Sequence, residues 1–323
     1  MARLTRRGTM GLLLATPALA HAQAPGAWPT RTVRYIDLFQ PGGGPDIFAR
    51  IYCAALSEMT GQQFVVENRV GAGGTVGATV IARSVADGYT IGLGGIGTHA
   101  IAQTLYARLP YDAMRDFTFM GGLYRGPSVL LVRADSPIRS IPDLIETAKR
   151  EPGRRLYGHG GLGTSPHLAM ELFKARAGVD IPHVAYNGPA ALVDLMGGRV
   201  DLVMFTLVGA MAGLREGKWR GLALTGGERN AAAPDIPSMA EFLPGFDITA
   251  WTVLTAPAGI PPELVGQIYG WSKRALERPD VVRRLADLGQ TPWPVTPEES
   301  LAWRAQQEAL LAPLVRASGA RVE

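Results

Sequence analysis

The chain has 323 residues, 47% of them hydrophobic and 19% charged, with a formal net charge of +4 and one cysteine, Cys53. That is enough apolar material for a substantial core and favours two domains of moderate size over one. A single cysteine excludes an intrachain disulfide, the charge pattern shows no basic run of the kind that binds nucleic acid, and no apolar stretch is long enough to span a bilayer.

The first residues read as an export signal. Arg3, Arg6 and Arg7 make a positive start, residues 10–20 are apolar, and Ala20-His21-Ala22 is a small-residue cleavage site. Cleavage would begin the mature chain near Gln23, after export by the general secretory route first and, on Thr5-Arg6-Arg7, by the twin-arginine route as the alternative. Residues 1–22 hold three arginines and no acidic residue, so the net charge falls from +4 to +1 without them.

Beyond that segment, strand-like and helix-like runs alternate. A strand at 33–38 enters the turn Gln40-Pro41-Gly42-Gly43-Gly44-Pro45-Asp46, and a helix follows over 46–60. That helix is apolar on most sides and so predicted to be buried, with Cys53 as an inert core residue. Further strands are predicted at 64–66, 89–93, 117–120, 129–132, 156–157, 184–186, 202–205, 221–225 and 249–255. Helices are predicted at 75–84, 141–150, 166–177 and 189–196. From Pro261 onward the pattern is helical, with Pro279 and Pro297 opening segments and a capping box between Thr296 and Glu299. This alternation predicts an α/β fold with mostly parallel sheets.

Two glycine turns carry the chemistry. In the first, three glycines let the backbone approach a ligand, and the following helix aims free N–H groups and its positive dipole end at that turn, which suits a carboxylate or phosphate. Gly161-Leu162-Gly163-Thr164-Ser165-Pro166-His167 repeats this arrangement later in the chain, where Thr164 and Ser165 either cap the helix or bond an incoming oxygen. One such turn in each half points to a ligand site between two domains. Gly92-Leu93-Gly94-Gly95-Ile96-Gly97 fits a dinucleotide fingerprint, but lacks an acidic residue ending the next strand. Gly71-Ala72-Gly73-Gly74 lacks the Lys of a phosphate loop, and Ser165 lies outside any nucleophile elbow. His99, His159, His167 and His183 show no metal-ligand spacing. Phe39 and Trp251 are candidates for apolar pocket walls or for core.

Further segments complete a pattern: Val66-Glu67-Asn68-Arg69-Val70-Gly71, Asp87-Gly88-Tyr89-Thr90, Leu109-Pro110-Tyr111-Asp112, Pro234-Asp235-Ile236-Pro237-Ser238 with Glu241, and Ala256-Pro257-Ala258-Gly259. With the two glycine turns, in this order, they make the chain resemble the Bug family of extracytoplasmic solute receptors of tripartite tricarboxylate transporters, over residues 28–320. The resemblance implies a periplasmic-binding-protein type II fold of two α/β domains with a ligand cleft between them. Domain 1 would take residues 28–125 and 248–323, and domain 2 residues 126–247.

It also implies that Thr98 and His99 approach the pocket from domain 1. Tyr186-Asn187-Gly188 matches a family segment that usually carries Lys or Arg at the middle position, and Thr206 stands where many relatives place Asp. The ligand-binding candidates are Phe39, Gln40, Gly43, Gly44, Asp46, Thr98, His99, Gly163, Thr164, Ser165, His167, Tyr186, Asn187 and Thr206. The function expected is capture of a small organic carboxylate in the periplasm for membrane transporter subunits of the tripartite tricarboxylate type, by a monomer with no cofactor, metal or nucleic-acid partner. The alternatives are a receptor that hands its ligand to a signalling protein, and a carboxylate-acting enzyme with His99 or Asp46 as base.

Overall fold

The computed structural model describes residues 28–317. The expected export signal lies outside them. Eleven strands are described: β1 Val33–Asp37, β2 Phe64–Asn68, β3 Thr90–Gly95, β4 Phe117–Gly126, β5 Ser128–Arg133, β6 Tyr157–His159, β7 His183–Ala185, β8 Leu202–Thr206, β9 Trp219–Leu224, β10 Ala250–Pro257 and β11 Thr291–Pro292. They form two sheets, ordered β11-β4-β10-β3-β1-β2 and β7-β6-β8-β5-β9.

The two sheets share a plan. Within each, parallel pairs (β1 with β2 and β3; β6 with β7 and β8) meet one antiparallel strand. In the first sheet that strand is β10, between β3 and β4; in the second it is β5, between β8 and β9. Strands β10 and β5 each arrive from the other lobe, and the first sheet ends in β11, antiparallel to β4, so the sheets are mixed and not mostly parallel as the alternation predicts. The chain leaves the first sheet through Pro127, between β4 and β5, and returns between β9 and β10. Thr225 ties the two crossings together: its hydroxyl accepts from Ser128 N at 2.9 Å and donates to Ile248 O at 2.8 Å. The result is two α/β lobes with a cleft between them.

Helices cover the sheets because their apolar faces have nowhere else to go. The helix Gly44–Thr60 buries Phe48, Ile51, Tyr52, Ala55 and Leu56 against the first sheet and stops at Gly61, whose φ of 71° suits only glycine well. Cys53 is a free, buried thiol within that face, and burial pushes its pKa up. The terminal helix Pro297–Ala317 begins at a capping box: Glu299 N donates to Thr296 Oγ1 at 3.2 Å, and Thr296 N to Glu299 Oε2 at 2.8 Å. Among the described residues, no helix is long and apolar enough to cross a membrane.

Candidate functional site

Three helices begin at the cleft. Gly43 precedes Gly44–Thr60 on the first lobe; Thr164 precedes Ser165–Ala177 and Thr206 precedes Leu207–Arg215 on the second. No side chain caps any of the three. The Thr164 hydroxyl donates instead to Gly161 O at 2.7 Å, and Thr206 Oγ1 is buried without a partner. Uncapped N–H groups at the positive ends of three helix dipoles favour an anion between them.

These helix ends open on a cavity of about 110 Å³. Phe39, Leu93, Ile96, Tyr124, Phe205, Val208 and Trp251 give it apolar walls, and among the described residues lining it none is charged. Eight of the expected residues line it: Phe39, Gln40, Gly43, Gly44, Thr98, Thr164, Ser165 and Thr206. The other six stand elsewhere, each held by a definite partner or exposure.

Asp46 lies under the first turn and braces it. It accepts from Gly42 N (2.9 Å), from both Nε (2.9 Å) and Nη2 (3.0 Å) of Arg50, and from Asn68 Nδ2 (3.0 Å). Burial pushes its carboxyl up, but the Arg50 guanidinium and these donors hold it below the ordinary range. His99 is wholly buried against Phe117 and Phe119, with its Nδ1 2.8 Å from Thr98 Oγ1. Burial, with Arg304 nearby, lowers its pKa to about 3. Neither candidate base therefore faces the cavity. Tyr186 donates to Asp194 Oδ2 at 2.8 Å, and Asn187 is exposed. Gly163 packs outside the cavity, where a Cβ would lie 2.5 Å from Leu105 Cδ2.

His167 belongs to a cluster the sequence did not reveal. His159, His167 and His183 come together with ligand atoms all within 4.8 Å of one another. The rings stack, and His159 Nε2 lies 3.1 Å from His183 Nδ1. A metal suits them poorly. Gly161 N donates into Nδ1 of His159, and Gly163 N into Nδ1 of His167, each at 3.2 Å. Those lone pairs are taken, so the neutral rings carry their protons on Nε2, where an ion would bind. The imidazoles instead hold the glycine turn in shape. Burial and the neighbouring imidazoles lower His159 to about 3; burial, His183 and Lys174 lower His167 to about 4.

The lobes touch through glycine. A Cβ on Gly97 would lie 2.8 Å from Gly163 O; one on Gly73 would lie 2.5 Å from Leu162 O; one on Gly44 would lie 2.5 Å from Val208 Cγ1. Tyr124, Phe205, Val208 and Gln290 complete the cavity beyond the expected residues. Phe205 adjoins Thr206 and was within reach of the reading; Gln290 sits in no motif.

A family model described as "Tripartite tricarboxylate transporter family receptor" matches residues 48–319. Protein BugT of Bordetella pertussis is 32% identical over 97% of this chain and 97% of its own. A Rhodopseudomonas palustris protein solved with adipate is 34% identical, with a TM-score of 0.87, over 91% of this chain and 99% of that one. MatC from the same organism, solved with bound malate, is 33% identical, with a TM-score of 0.83, over 89% and 100%.

Proposed function

Because the chain belongs to the tripartite tricarboxylate transporter receptor family, whose members are periplasmic solute-binding proteins and not enzymes, we propose that its cleft captures a small organic carboxylate and presents it to the membrane subunits of such a transporter. The observation that carries the carboxylate assignment is the meeting of three helix N-termini, none capped by a side chain, on a cavity lined by no charged residue. One negative charge there is met by backbone N–H groups and dipole ends, with hydroxyls from Thr98, Thr164 and Ser165 close by. Similar proteins solved with adipate and with malate fit the same ligand class. We assign residues 28–125 and 248–317 to one domain and 126–247 to the other, and the crossings at Pro127 and Thr225 support a hinge between them. An enzymatic reading lacks a base: Asp46 is paired with Arg50, and His99 is sealed behind the wall.

Thermal unfolding of the mature protein, stripped of carried ligand by unfolding and refolding, tests this against mono-, di-, tri- and aromatic carboxylates. A bound acid at about 100 times its Kd adds roughly 2.7 kcal/mol and raises Tm with concentration. A flat response to every class sinks the reading, and conversion of the acid to a product would replace it with an enzyme.

A further inference from the structure

One wall of the cavity holds a polar group for which the protein provides no partner. Gln290 is 3% exposed, lines the cavity, and its Oε1 has no hydrogen-bond partner. Its backbone is fixed: Gln290 N donates to Leu285 O at 2.9 Å, and the preceding Gly289 O accepts from Asn230 Nδ2 at 3.1 Å. The neighbouring segment of the other lobe comes close. A Cβ on Gly289 would lie 2.5 Å from Leu207 Cδ2, and Leu207 follows Thr206, whose Oγ1 is likewise buried and unpartnered. Buried polar atoms are paired in nearly all folded proteins, and an unpaired one marks a place where something else supplies the bond.

The chemistry of that supplier is constrained. A carboxamide offers one acceptor and two donors, and a hydroxyl both accepts and donates, so each of these side chains matches a neutral polar group. A carboxylate brought to the same wall would lose its water, and although it could accept from Nε2 it has no proton to donate to Oε1; no charged residue among the described residues lining the cavity offsets its charge. The helix ends serve the anionic group, and what the Gln290 wall lacks is a donor for Oε1. Resting on the carboxylate-binding reading above, we infer that Gln290, with Thr206, is a specificity determinant. It selects a monocarboxylate whose apolar body carries a hydroxyl or another neutral polar group, over an acid with a second carboxylate.

The test is calorimetric titration at pH 7.5 with two matched series: hexanoate, 6-hydroxyhexanoate and adipate; and 4-methylbenzoate, 4-hydroxybenzoate and terephthalate. In a series that binds, the hydroxy acid is expected to bind about tenfold more tightly than its methyl and dicarboxylate counterparts, roughly one well-made hydrogen bond. Gln290→Leu should reduce that preference to within about threefold, again the scale of one hydrogen bond. Thr206→Val is the second variant, should the first fail to fold. Tightest binding by adipate or terephthalate overturns the inference and leaves the carboxylate reading intact. So does a hydroxyl preference that survives both substitutions. Failure of every acid in both series to bind overturns this inference, and the carboxylate reading falls with it only where the wider thermal panel is flat as well.

Discussion

Asp37 and the clustered histidines hold charges that the fold suppresses in opposite directions. Asp37 is fully buried at the end of β1, its Oδ1 accepting from Phe39 N at 2.7 Å while Oδ2 has no partner. Burial raises its pKa to about 7. The unfolded carboxyl ionises near 3.8 while the folded one keeps its proton until about 7, so stability falls as pH rises between those values. His159 and His167 are depressed from 6.5 to about 3 and 4. Their unfolded forms take up protons below pH 6.5 while the folded rings stay neutral, so they cost stability as pH falls through that window. Each group contributes a slope of about 1.4 kcal/mol per pH unit. Asp37→Asn should therefore stabilise the protein at pH 7.5, by up to about 4 kcal/mol, and steepen the rise of stability between pH 4.5 and 6.5. His167→Asn, whose Oδ1 can still accept from Gly163 N, should flatten that rise. Urea midpoints across this range check both, and curves parallel to the natural protein's would refute the assignments.

Among elements, the terminal helix Pro297–Ala317 does more than cover a sheet edge. Arg304 is 2% exposed, its Nε donates to His99 O at 2.6 Å, and its guanidinium pairs with Glu308 at 2.8 Å. The helix is thereby pinned to the turn Ile96–Ala100, which carries Thr98 into the cavity. Arg304→Ala leaves a buried carbonyl without its donor and should cost about 2–3 kcal/mol. Denaturant unfolding measures the loss, and a cost under about 0.5 kcal/mol, the scale of an ordinary surface substitution, would show that the contact contributes little. This scale also separates what sequence could reveal from what it could not. Strands and helices were legible because period and punctuation are local: Gly61 ends one helix, and Thr296 with Glu299 starts another. The discontinuous lobes came only through the family resemblance. Asp46 and His99 were read as facing the ligand because a sequence shows which polar residues lie near a turn, not which partners hold them, although Arg50 stood one helical turn beyond Asp46. The histidine cluster was invisible because its members sit at the end of β6, in the helix Ser165–Ala177 and at the start of β7, elements that meet only in the fold.

At the level of the whole molecule, two of the contacts between the lobes, at Gly73 and Gly97, are made against main-chain oxygen, and a hinge of the proposed kind would bring these surfaces together as the cleft closes. Gly97 shows this most cleanly, since a methyl group there would lie 2.8 Å from the main-chain oxygen of Gly163, which cannot swing aside. Gly97→Ala should hold the lobes apart. Ligand affinity is expected to fall by at least about tenfold, the equivalent of 1.4 kcal/mol, with little change in the stability of the ligand-free protein. With ligand present, the radius of gyration from small-angle scattering should stay at its ligand-free value. Unchanged affinity together with normal compaction on binding would mean that this contact does not govern closure.

Those glycine contacts have a further consequence. Side chains that meet across a closing cleft must each give up rotamers, and that lost freedom subtracts from the binding energy. Gly73 and Gly97 have no rotamers to give up, and what they meet in Leu162 and Gly163 is main-chain oxygen. At these two contacts, joining the lobes therefore costs no rotamer freedom when a ligand arrives. More of a small acid's modest interaction energy is then left to hold the cleft shut.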